Sequence, residues 1–264
     1  MGFAKYFEDN VSRFNSDNQG APSTSQLMPP ASTHQHGSHD PKEVPPMSRL
    51  KEFTTQTARP LPVILLADVS GSMEVDGKIQ ALNHAVRDMI EVFQDESDLR
   101  AEIHVSVITF GGQARMHLPL GPARNAKWTD LGASGGTPMG AAFDLARKLV
   151  EDTVAIPGRA YRPTIVLVSD GQPTPPDSWQ APLQALLDSD RGGKAFRMAL
   201  AIGADADHEV LKSFLANPEA RVHRAEDARQ IRKFFQLVTM SVSSRSRSAN
   251  PNSTPPLPED GWDL

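Results

Sequence analysis

The sequence predicts an α/β protein built on a doubly wound, mostly parallel central sheet with helices on both faces. Three observations carry that expectation. Two short apolar runs, Leu61 to Ala67 and Ile165 to Val168, lead directly into the aspartates Asp68 and, after Ser169, Asp170. Continuous runs of this length mark strands buried on both faces of a parallel sheet. Other stretches place apolar residues at helical spacing, as Ile79, Leu82, Ala85, Val86, Met89, Ile90 and Phe93 do. The two kinds of signal alternate along the chain, which puts crossover helices on either side of one sheet.

The first strand covers 61–67, and the turn Ser70-Gly71-Ser72 leads to a helix over 78–93. Ile103, Val105, Val107, Ile108 and Phe110 form a second strand closed by Gly111 and Gly112, which read as a strand terminator. Residues 114–118 read as a short edge strand ahead of Pro119. A Gly-rich loop runs from Gly132 to Thr137, and Pro138 suits the first turn of a helix over 139–150. Then come a strand at 163–169, a helix at 179–187, a strand at 196–202 ending at Gly203, a helix at 208–215, a short strand at 221–223 and a last amphipathic helix at 227–242. No internal repeat is present.

The ends differ in composition. Residues 15–58 and 243–264 are rich in Ser, Pro, Asn and other polar residues, and such segments bury too little apolar surface to offset their ordering entropy. The expected organisation is an N-terminal extension (1–58), one folded domain (59–242) and a flexible C-terminal tail (243–264). Within the extension, Phe3, Tyr6, Phe7, Val11 and Phe14 share one face of a helix over 3–14, which suits either docking on a partner or packing on its own domain. His34, His36 and His39 lack a preorganised geometry for a metal. In the tail, Arg245 and Arg247 lie among serines open to modification, and Thr254 to Pro258 suits an extended polyproline segment.

Bulk chemistry excludes several functions. A formal charge of -5 and a pI near 5.9 argue against a nucleic-acid surface. With no cysteine there is no disulfide framework, thiolate nucleophile or Cys-based zinc site. The apolar runs fall far short of the roughly 20 residues needed to span a bilayer. The first residues lack the apolar run of a signal peptide, and Tyr6 stands where a myristoylation motif wants Ser or Thr. The expected location is cytoplasmic, with no membrane association.

Five oxygen-bearing residues fall at strand ends and a helix start: Asp68, Ser70, Ser72, Thr137 and Asp170. The predicted topology brings all five to one edge of the sheet, where open α/β sheets bind their ligands. Two carboxylates and three hydroxyls make a hard-oxygen site suited to Mg²⁺, with Mn²⁺ or Ca²⁺ as alternatives, rather than to zinc. Individually, each of these residues is also what a turn or a helix cap uses; their joint placement favours a metal. Glu74 and Asp76 are expected to be solvated first-turn acids outside the site.

The segments Asp68-Val-Ser70-Gly-Ser72, Thr137 and Asp170-Gly171, in this order, resemble the metal-ion-dependent adhesion site of von Willebrand factor A domains and integrin inserted domains. The resemblance implies that Ser70, Ser72 and, in the ligand-competent state, Thr137 bind the metal directly, with Asp68 and Asp170 acting directly or through water. It also implies that an Asp or Glu from a partner protein completes the coordination. The wording Leu-Leu-Ala-Asp-Val-Ser-Gly-Ser-Met, Val-Ile-Thr-Phe and Val-Ser-Asp-Gly-Gln-Pro-Thr is similar to bacterial members associated with tellurite resistance. Those often accompany a protein kinase and a PP2C-type phosphatase, which implies a signalling or stress-response scaffold.

The alternative is a metal-dependent phosphatase or other hydrolase, since an Asp after a buried strand also begins enzymes that form an aspartyl-phosphate. Those need a second carboxylate two residues on, and here that residue is Ser70. A nucleophile elbow and a phosphate loop are missing as well. The chain is therefore expected to bind rather than to catalyse.

Overall fold

Alternation of side chains along the first strand sets up two apolar layers. In the computed structural model, which describes residues 58–96, 100–174 and 179–253, β1 (Arg59–Asp68) sends Leu61, Val63, Leu65 and Ala67 into one layer and Ile64 and Leu66 into the other. All six are at most 1% exposed. Each fully buried Leu, Ile or Val stabilises the fold by about 1.5–3 kcal/mol relative to leaving it in water. The expected helix over 3–14, the histidine tract and residues 254–264 lie outside the described residues.

The sheet has six strands in the order β3-β2-β1-β4-β5-β6. The remaining strands are β2 (Ala101–Gly111), β3 (Gln113–Pro122), β4 (Thr164–Ser169), β5 (Phe196–Ile202) and β6 (His223–Ala225). All pairs are parallel except β2 with β3. The helices are α1 (Lys78–Asp95), α2 (Met139–Glu151), α3 (Gln180–Asp188), α4 (His208–Leu215) and α5 (Ala228–Arg247). Helices α1 and α5 pack on the layer that contains Leu65, and α2, α3 and α4 on the layer that contains Leu66. Chain order runs outward in opposite directions from the β1/β4 pair, so the carboxyl ends of these strands flank the switch point at which such sheets place ligands.

Two prolines in β1 are tolerated for a local reason. Pro60 and Pro62 lie where β1 pairs with β2 alone, because pairing with β4 starts at Val63. On the far side β3 is longer than the expected 114–118 and carries Pro119 within it. The β2/β3 register shifts near Ser106, opposite Pro119 and Leu120, and an edge strand at such an irregularity can lack an N–H. Strand β6 forms at 223–225 rather than 221–223, with Ala225 supplying its fully buried residue.

The largest departure from expectation is at the C-terminus. The domain does not stop at 242, because α5 continues to Arg247 with Ser243, Arg245 and Ser246 buried. Arg245, only 1% exposed, donates from Nε to Pro251 O (2.8 Å), from one terminal nitrogen to Thr164 Oγ1 (2.5 Å) and from the other to Arg162 O (2.7 Å). Its guanidinium also stacks 4.0 Å above the Phe196 ring centroid. Burial, reinforced by the Arg162 charge, brings its pKa down to about 10, so it stays charged at neutral pH. A residue expected in an open tail is instead a cross-brace between α5 and the start of β4.

Replacing Arg245 with Met removes three hydrogen bonds and leaves the buried acceptors unsatisfied, so a loss of about 3 kcal/mol is expected. Arg245→Lys should recover only part of it, because an ammonium cannot reproduce the planar fork. Urea unfolding of both variants measures this. Midpoints equal to that of the wild type would remove Arg245 from the stabilising framework.

Candidate metal centre

Strands β1 and β4 are hydrogen-bonded in parallel with Ala67 opposite Val168, so Asp68 and the Ser169-Asp170 pair leave the sheet side by side. Asp68 is fully buried. Its Oδ1 accepts from the Ser70 backbone N–H at 2.8 Å, the turn that redirects the chain out of β1. Its Oδ2 accepts from Ser169 Oγ at 2.5 Å. Burial pushes the Asp68 pKa from 3.8 to about 6; hydrogen bonds from Ser169 and Ser70 oppose this, and the neighbouring charge of Asp170 adds to it.

From Ser70 a chain of oxygens crosses to β4. Ser70 Oγ lies 3.0 Å from Ser72 Oγ, and Ser72 Oγ donates to Asp170 Oδ1 at 2.7 Å. Asp170 and Ser70 are buried, whereas Ser72 is exposed and forms the solvent-facing rim. Thr137 approaches from the Gly-rich loop: a Cβ on Gly171 would lie 3.7 Å from Thr137 Oγ1 and 3.6 Å from Ser72 Oγ, which places both hydroxyls around one point. Thr137 N–H donates to Thr174 Oγ1, and its carbonyl accepts from Thr174 N–H at 3.1 Å. The five residues thus meet at one edge of the sheet.

Close backbone approach makes this geometry available. Gly71 N–H donates to Gly135 O (2.9 Å), Gly112 N–H to Gly136 O (2.8 Å) and Ser134 N–H to Val69 O (2.7 Å). Gly135 adopts φ 76° and a Cβ there would come within 2.7 Å of Gly112 Cα, so a side chain is barred twice over. The Gly111-Gly112 pair, expected merely to end a strand, is therefore the surface against which the Thr137 loop packs.

The donor set agrees with a small, hard cation. Neighbouring ligands of an octahedron with metal–oxygen distances of about 2.1 Å lie about 3.0 Å apart, the separation of the two serine hydroxyls. Among the described residues no group of three or more His, Cys, Asp or Glu is placed to hold a metal; the cluster itself holds two carboxylates and three hydroxyls. Glu74 and Asp76 are exposed, but they are not in the first turn of α1. They belong to a 3₁₀ segment, Gly71–Gly77, that ends in a left-handed kink at Asp76 (φ 55°) and Gly77 (φ 71°).

Four contributors escape a reading by local pattern. Ser169 and Thr174 orient Asp68 and Thr137. Lys78 Nζ donates to Asp170 Oδ2 at 2.8 Å. Asn83, buried in α1, clamps the loop that leads to Thr137: Nδ2 donates to Leu131 O (2.9 Å) and Oδ1 accepts from Leu131 N–H (2.7 Å). The available signal for Asn83 was a lone amide beside Leu82, on the apolar side of an amphipathic helix.

The molecule is thus a doubly wound α/β sheet with a hydroxyl-rich acidic cluster at its switch point. Residues 63–172 match the family described as von Willebrand factor type A domain. Solved structures share the fold. One is a von Willebrand factor type A protein from Catenulispora acidiphila (20% identity, TM-score 0.55, covering 70% of this chain and 43% of that one). Another is proximal thread matrix protein 1 from the mussel byssus with a zinc-occupied MIDAS motif (16%, 0.53, 70% and 46%). A third is the open conformation of the pilus adhesin SpaC from Lactobacillus rhamnosus GG (16%, 0.58, 72% and 31%). The chain spans less than half the length of each of these. No curated protein matches it.

Two expectations follow. An unfolded carboxylate releases its proton near 3.8, and folded Asp68 near 6. The metal-free fold therefore holds the extra proton between these values and loses stability as pH rises across them, by on the order of 3 kcal/mol in total. In EDTA, Asp68→Asn should melt above the wild type at pH 7, and the gap should close toward pH 4. A variant no more stable than the wild type at pH 7 would contradict this. Asn83→Ala should cost about 2 kcal/mol by orphaning both backbone groups of Leu131, readable as a lowered denaturation midpoint; an unshifted midpoint would show the clamp to be idle.

Proposed function

We propose that this domain is a metal-dependent protein-binding module, in which Asp68, Ser70, Ser72, Thr137 and Asp170 hold one divalent cation and a partner supplies an Asp or Glu carboxylate. The observation that carries this reading is the chain of oxygens from Ser70 through Ser72 to Asp170, with octahedral spacing between the hydroxyls and its rim open to solvent. A bound Mg²⁺ or Mn²⁺, or less closely Ca²⁺, would supply an open coordination position for that carboxylate. Zinc occupancy in the mussel relative makes Zn²⁺ a necessary comparison ion.

The chain's own residues divide the work. Ser70, Ser72 and Thr137 offer neutral oxygens, which leave more of the cation's charge for the partner. Asp68 fixes the Ser70 turn through the backbone N–H and is itself oriented by Ser169. Asp170 is held at one oxygen by Ser72 and at the other by Lys78. Ser70 stands where aspartyl-phosphate chemistry needs its general acid, so no catalytic step is assigned to this chain.

The similarity of motif wording to bacterial members found beside a kinase and a PP2C-type phosphatase supports a narrower proposal. In it, the protein is a cytoplasmic scaffold in a signalling or stress response, and such an enzyme is the partner. No described helix is long and apolar enough to cross a membrane.

Affinity capture with the whole chain as bait tests the central reading. A partner should be retained in Mg²⁺, released by EDTA and retained again when Mg²⁺ is restored. Asp68→Ala should lose it by at least tenfold while the fold persists by circular dichroism. Wild-type retention by Asp68→Ala of a partner that EDTA releases would defeat the metal-bridged mechanism.

A further inference from the structure

Lys78 is the first residue of α1, and its ammonium lies inside the candidate metal centre. The ion pair with Asp170 is sheltered, with side-chain exposures of 20% for Lys78 and 0% for Asp170. Since Ser72 Oγ occupies Oδ1 of the same carboxylate and Lys78 Nζ occupies Oδ2, Asp170 is pinned at both oxygens. On its other side the lysine meets the end of β5: a Cβ on Gly203 would lie 3.6 Å from Nζ and 3.8 Å from Cε. The charge is therefore fixed in place.

The consequence is one of charge balance. Asp68 and Asp170 bring two negative charges and Lys78 returns one, which leaves the cluster with a single net negative charge. Adding a divalent cation would turn it to a single positive charge, which one carboxylate then neutralises. Without Lys78 the loaded cluster would already be neutral, and an anionic ligand would have no net charge to answer. Repulsion between the ammonium and the incoming cation costs metal affinity, and attraction for the anion adds ligand affinity.

Resting on the metal-centre reading above, we propose that Lys78 is a built-in counter-charge that weakens uptake of the bare cation and makes the loaded site selective for anionic groups. Lys78 acts through charge at a short distance and through Asp170, so it is a specificity-determining residue and not a ligand.

The test uses the full chain, Mn²⁺ as the cation followed by electron paramagnetic resonance, and acetate as the anionic probe, with acetamide as its neutral counterpart at constant ionic strength. Acetate should tighten Mn²⁺ uptake by the wild type and acetamide should not, because binding of the two is mutually coupled. Lys78→Gln keeps a hydrogen-bond donor near Asp170 and deletes the charge. It should bind Mn²⁺ alone roughly tenfold tighter, the order expected for unit charges several ångströms apart in a partly solvated site, and lose most of the acetate effect. Lys78→Arg should behave as the wild type. If Lys78→Gln matches the wild type in both measurements, the counter-charge role is overturned while the metal reading stands. A wild type that takes up no Mn²⁺, or no more than Asp68→Ala does, overturns both.

Discussion

Two aspartates are buried at the ends of adjacent parallel strands, and the upper edge of this molecule is organised around the cost of keeping a carboxylate out of water there. Strand pairing fixes their separation, because Asp68 and Asp170 follow the paired residues Ala67 and Val168 closely. The carboxylate of Asp68 also lies in a fully buried position, where ionisation is costly. Around it the chain places donors: the Ser70 N–H, the Ser169 hydroxyl, the Ser72 hydroxyl on Asp170 and finally an ammonium. What remains after these is a modest net negative charge lined with neutral hydroxyl oxygens, the setting on which the proposed cation site rests.

Rigidity at this edge comes from the loops rather than from the sheet. The segment that brings Thr137 is anchored at Leu131 by Asn83, at Ser134 by Val69, at Gly135 and Gly136 by the glycines facing them, and at Thr137 by Thr174. Because successive attachments come from four different parts of the chain, none of them is free to shift alone. Preorganisation of this kind spares a binding event the entropy of ordering its own site.

Legibility in the sequence followed the range of the interactions. Strands β1, β4 and β5 could be read directly, since the stretch of each that helices cover on both faces is a continuous apolar run. The convergence of the five oxygen residues also followed, because their positions depend on strand ends and topology alone. The bracing contacts were hidden by distance: Lys78 and Asp170 are 92 residues apart, and Asn83 and Leu131 are 48 apart. In each case an ordinary-looking polar residue on a helix gains its role from a group that no local window contains. Polarity also misled at the C-terminus, where the Ser and Arg pattern of 243–247 resembles a solvated tail. There a buried guanidinium is satisfied by carbonyls and a ring face rather than by an acid, which a pattern of charges cannot signal.

That guanidinium bears on what counts as the separable unit of this protein. A fragment cut where the apolar periodicity of the last helix fades would retain Thr164 and the Arg162 carbonyl but lose the group that occupies them, and it would expose the Phe196 ring to water. The Pro251 carbonyl answers the same side chain, and Asn252 Oδ1 accepts from the Arg162 N–H at 2.9 Å. The contacts that brace the start of β4 thus extend past the last helix to Asn252. Any graft, fusion or domain boundary drawn on this scaffold has to treat those few residues after the helix as part of its floor.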